Sequence, residues 1–92
     1  MSKFRKKPVV IEAVQFLGYS SFEEMHKAWG PTFLNDCSFE PGSSERQMEM
    51  TIHTLEGVHT GIIGDWIIRG VKGEFYPCKN DIFEVTHELV EP

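Results

Sequence analysis

Two cysteines, no long apolar run and a body poor in basic residues set the first limits on this chain of 92 residues. Cys37 and Cys78 are too few for a disulfide scaffold, and both are expected as free thiols acting as small, partly buried hydrophobes. No stretch approaches the roughly 20 apolar residues that cross a bilayer. The apolar run after the basic N-terminus, Val9 to Val14, is short and broken by Glu12. A signal peptide needs about 7–15 apolar residues and a small-residue cleavage site. The expectation is a cytosolic protein with no membrane partner. Also missing are a His-Glu-x-x-His, a Cys-x-x-Cys, a phosphate-binding glycine loop and a Gly-x-Ser-x-Gly elbow. The chain therefore offers no recognisable catalytic or metal centre, and a non-enzymatic role without cofactor is expected.

Charge is unevenly placed. Lys3, Arg5, Lys6 and Lys7 put four positive charges on the first seven residues, a basic N-terminal arm. The other 85 residues carry five basic and fourteen acidic side chains, a net of −9. An acidic body argues against duplex nucleic acid, whose binding rests on neutralising phosphates.

What is present fits one small domain spanning 1–92. A chain this short buries about 60–65% of its unfolded surface, enough for a single core. Aromatic residues make up 12% of it, which helps that core close. Pro8 to Phe16 is rich in β-branched residues and apolar on both faces, so it reads as a central strand covered on both sides. Ser20 with Glu23, or Ser21 with Glu24, has the capping-box spacing of a helix start. Phe22, Met25 and Trp29 make the apolar face of that helix, and Gly30-Pro31 ends it. Thr32 to Phe39 reads as either an edge strand or an ordered loop, and 40–46 as a flexible loop.

Gln47 to Thr54 alternates, with Met48, Met50 and Ile52 on one side. Leu55-Glu56-Gly57 predicts a hairpin returning through Val58 to Ile62. Trp66 to Val71 and Glu74 to Cys78 read as strands joined at Lys72-Gly73, with a turn or single helical turn at Lys79-Asn80-Asp81. Phe83 to Val90 alternates again and predicts a last strand. The sum is an α+β fold: a small curved antiparallel sheet, or open barrel, of about five to six strands with one helix packed on it.

The block from Gly64 to Glu84 concentrates the polar and aromatic side chains that suit recognition. Trp66, Arg69, Lys72, Tyr76 and Lys79 are the candidate ligand- or partner-binding residues. Pairing about Lys72-Gly73 is expected to bring Arg69, Glu74 and Tyr76 together, giving the donors and flat ring that a nucleotide-like ligand needs. The plainer reading is an Arg69–Glu74 surface pair, Trp66 in the core and Tyr76 bonded to a turn. Asp65 and Asp81 read as turn and helix caps. A Cys78–His87 pair has no local support, and His53 with His59 supplies two metal ligands where structural zinc takes four.

Two blocks carry a resemblance. Phe4-Arg5-Lys6-Lys7-Pro8-Val9-Val10-Ile11-Glu12-Ala13 and Gly64-Asp65-Trp66-Ile67-Ile68-Arg69-Gly70-Val71-Lys72-Gly73-Glu74-Phe75-Tyr76-Pro77-Cys78-Lys79 resemble a family of small uncharacterised proteins of tailed bacteriophages and prophages. Ile63 and Asn80 stand where that pattern usually has Pro. The resemblance implies phage origin and a life in the host bacterial cytoplasm, and it implies no activity. The expected role is a phage accessory protein binding a host protein. The alternatives are a module for a nucleotide-like ligand and a minor virion or assembly component. Edge strands further predict a homodimer, formed by sheet pairing or helix packing.

Overall fold

The computed structural model describes residues 1–5, 7–44 and 47–90. Six strands and three helices follow in the order β1 (Glu12–Gln15), α1 (Tyr19–Trp29), α2 (Pro31–Asp36), β2 (Cys37–Glu40), β3 (Glu49–Thr54), β4 (Gly57–Ile62), β5 (Trp66–Arg69), β6 (Phe75–Cys78) and α3 (Asn80–Thr86). The fold is α+β, as the pattern predicted, with all strand pairs antiparallel. The strands form two three-stranded sheets, β1-β5-β6 and β2-β3-β4, which do not close into a barrel.

Alternation builds the second sheet as expected. Met50 and Ile52 are buried on its inner face, while Glu49 and His53 are exposed on the outer one. Thr54 pairs with Gly57 around the two-residue turn Leu55-Glu56, and Gly57 has φ +124°, a region open to glycine. Gly61 lets the two sheets meet: a Cβ there would stand 3.2 Å from Ile67 Cδ1 of the first sheet.

The core lies between the sheets and under α1 and α2. Phe22, Met25 and Trp29 of α1 are buried on one face, the i, i+3, i+7 stripe of the sequence. Phe33 of α2 is enclosed by aromatic rings, 5.1 Å from Phe22, 5.8 Å from Trp29 and 5.4 Å edge-on from Phe75. Each such side chain contributes about 1.5–3 kcal/mol by leaving water.

Several expectations change. Pro8 to Phe16 is not a central strand: only Glu12–Gln15 pairs, and β1 is the edge of its sheet with β5 in the middle. Val9 and Val10 stay exposed. Tertiary order decides which apolar run lies centrally, and strand composition does not encode it. No side-chain cap closes the start of α1. Ser21 Oγ instead accepts the Leu17 N–H at 2.7 Å and donates to the Gly18 carbonyl. Thr32 to Phe39 splits into α2, which Pro31 opens at its first turn, and β2.

The strand expected over Phe83 to Val90 is instead helix α3 through Thr86. Phe83 and His87 are four apart, which equals two strand repeats and also about one helical turn, so alternation alone misleads there. Of the loop expected over 40–46, Glu45 and Arg46 lie outside the described residues, as does Lys6 of the arm.

Candidate functional site

The β5–β6 register sorts the candidate residues. Trp66 lies opposite Cys78, Ile68 opposite Tyr76, and Arg69 opposite Phe75. Residues directly opposite share a face and neighbours alternate, so Trp66 and Tyr76 lie on one face and Arg69 on the other. The expected convergence of Arg69 and Tyr76 does not occur. Arg69 meets Glu12 across β1, with Nη1 3.5 Å from Oε1, both side chains well exposed. An exposed pair of this kind contributes about 0–1 kcal/mol.

Lys72 stands in the turn beyond Arg69, held by Gly70 and Gly73 hydrogen bonds. Lys79 stands at the opposite end of β6, where α3 begins. The length of β6, about 10–13 Å, separates the two lysines. An open groove of about 290 Å³ beside Arg69 is lined by Val10, Glu12, Gly70 and Val71, with no other candidate residue in it.

The face carrying Trp66 and Tyr76 is organised by residues that the sequence pattern does not single out. Trp66 Nε1 donates to Asn80 Oδ1 at 2.8 Å, and Gln15 Nε2 donates to the same oxygen at 3.3 Å and to the Gly64 carbonyl at 3.0 Å. Trp66 is therefore half-buried against α3 and is not part of the core. Its ring stacks on Phe83 with centroids 4.4 Å apart, and Phe83 stacks on His87 at 4.4 Å. The spacing of four between Phe83 and His87 was the available sequence signal for this ladder. The other side of α3 carries Ile82 and Val85, both exposed, and Leu89 beyond the helix is exposed as well. No side chain of α3 is fully buried.

The titratable groups fit this division. Burial raises the Tyr76 hydroxyl above its ordinary value, with the Glu74 carboxylate and Cys78 adding to it. Burial also raises the Cys78 thiol, helped by the Asp65 and Asp81 charges. Cys37 is pushed up to about 12 by burial and by Asp36. Raised thiols are neutral and weakly nucleophilic at neutral pH. Both cysteines are free.

Asp65 is buried and closes its own turn, with Oδ2 accepting the Ile62 N–H at 3.0 Å. Asp81 lies in the first turn of α3 and accepts from the Ile82 N–H. His53 pairs with Val58 and His59 with Ile52, so the two imidazoles leave opposite faces of their hairpin. Among the described residues no group of three or more His, Cys, Asp or Glu side chains is placed to hold a metal. No helix of the described residues is long and apolar enough to cross a membrane. Comparisons with protein-family models, with curated proteins and with solved structures found no match.

Proposed function

We propose that this chain is an accessory protein of a tailed phage or prophage that acts without catalysis, by binding a protein of the bacterial host through α3 and the adjoining face of the first sheet. One observation carries the choice of surface. Ile82 and Val85 form an apolar pair at i and i+3 of α3 that faces solvent, with Val85 84% exposed. A helix of seven residues is too short to persist without packing. Here the Phe83 side packs on Trp66 while the Ile82 side offers apolar area of the kind protein interfaces use. Lys79 stands where α3 begins and Tyr76 lies on the Trp66 face of the same sheet, and aromatic residues are enriched at such interfaces. The nucleotide-like reading has less support, because Arg69 and Tyr76 occupy opposite faces and the groove beside Arg69 is not lined by Tyr76.

The test is affinity capture from host lysate with the wild-type chain and with Ile82→Glu/Val85→Glu. The wild type is expected to retain one host protein that the variant loses, while both melt at similar temperature because the altered side chains are exposed. Equal capture by the two would overturn the assignment of this surface. A thermal shift by nucleotides, lost in Tyr76→Ala, would favour the ligand reading instead.

A further inference from the structure

The N-terminal segment and the edge of β1 fit a second copy of this chain. β1 pairs with β5 on one side only and is the edge strand of its sheet. Phe16 turns both of its backbone groups toward β5: its N–H donates to the Asp65 carbonyl, and its carbonyl accepts from the Gly64 N–H, each at 2.8 Å. Alternation then points Glu12 and Val14 the same way, and aims the N–H and C=O of Ala13 and Gln15 at the open edge. Ile11 and Val9 continue the open-edge series. Pro8 falls in the β5-facing series, so its missing N–H costs the open edge no donor. Val9 and Val10 are strand-forming residues left without a strand, and Val10 is 75% exposed.

We propose that two copies pair antiparallel along their β1 edges, joining two three-stranded sheets into one of six strands, and that each basic arm crosses onto the acidic α3 of the other copy. The register supplies the charge match. With Val9 of one copy opposite Ile11 of the other, Lys7 falls opposite Ala13, Arg5 opposite Gln15 and Lys3 opposite Leu17. Opposite residues share a face. Lys3, Arg5 and Lys7, spaced by two, therefore all project on the face of Gln15, whose side chain bonds Asn80 at the start of α3. That helix carries Asp81 and Glu84, and Glu88 follows two residues past its end, all exposed.

Within one copy the match is not made. The arm leaves β1 at its Glu12 end, whereas α3 begins at the Gln15 end. The antiparallel two-fold brings the arm of each copy to the right end of the other. Such an isologous contact closes on itself and leaves neither β1 edge free for a third copy.

The pairing does not depend on a host partner, so sedimentation tests it apart from lysate capture. The wild-type chain is expected to sediment as a dimer at low salt, and less so as salt rises. Lys3→Glu/Arg5→Glu/Lys7→Glu is expected to weaken the dimer by about tenfold or more, and Asp81→Lys/Glu84→Lys/Glu88→Lys likewise. Mixing these two variants is expected to restore a dimer, since each then offers the other a complementary arm and helix. Ala13→Pro, which removes an open-edge N–H and leaves the β5 ladder intact, is expected to give a folded monomer. A wild-type chain that stays monomeric at millimolar concentration overturns the proposal. So does a dimer indifferent to both charge reversals and to Ala13→Pro, or a mixture that fails to associate.

Discussion

Asn80 shows how much one side chain does here. Its carbonyl oxygen receives both the Trp66 indole N–H and the Gln15 amide, tying α3 to two strands of the first sheet. Asn80→Ala leaves the half-buried indole N–H without its partner and is expected to lower stability by about 1 kcal/mol, read from urea denaturation. Proline, which the resembled family usually carries there, suits the first helical position and so is expected to keep α3 while losing the same bond.

Cys37 makes a second residue-scale prediction. Its thiol moves from the usual 9.0 to about 12 in the folded chain. Above pH 9 the unfolded thiol gives up a proton that the native one keeps, so the unfolded state binds fewer protons and stability falls as pH rises. The loss is expected to run between about pH 9 and pH 12, in the same direction as the raised Tyr76 and Cys78. Denaturation midpoints measured across that range check it. At neutral pH a thiol reagent is expected to reach half-buried Cys78 before buried Cys37.

At the scale of elements, the two sheets depend on their close approach at Gly61. A valine there would drive a branched side chain into Ile67, and Gly61→Val is expected to cost about 1–3 kcal/mol by overpacking. Phe33→Ala empties the centre of the aromatic cluster and is expected to cost about 3–5 kcal/mol, enough to unfold much of a marginally stable domain. Thermal melts followed by circular dichroism read both. The helix that sequence periodicity marked, α1, was legible because a single face carries Phe22, Met25 and Trp29. α3 was not, because the spacing of its aromatic residues satisfies helix and strand alike, and stacking on Trp66 decides between them.

Across the whole molecule, charge and shape point the same way. The described chain extends 51 Å along its longest axis and 24 Å along its shortest. The basic arm leaves the sheet at the end away from the acidic helix, so the −9 body and the +4 arm of one copy are complementary without being in contact through α3. The salt-sensitive dimer and the loss of capture on Ile82→Glu/Val85→Glu are the predictions that belong to this scale.

The sequence by itself determined the α+β class, the alternating strands of the second sheet, the turn at Gly57 and the stripe of α1. These depend on local spacing and on backbone angles that only a few residues adopt. The two-residue turn expected at Lys72-Gly73 is instead a three-residue loop, Val71 to Gly73, closed by the Gly70 N–H on the Glu74 carbonyl, which shifts the pairing by one residue. Tertiary structure alone decided that β1 lies at an edge, that Trp66 stacks on α3 outside the core, and that Arg69 and Tyr76 part to opposite faces. Strand order and register set those outcomes. A shift of one residue in pairing reverses the face of every side chain, and nothing in the spacing of a single strand records which neighbour it will have.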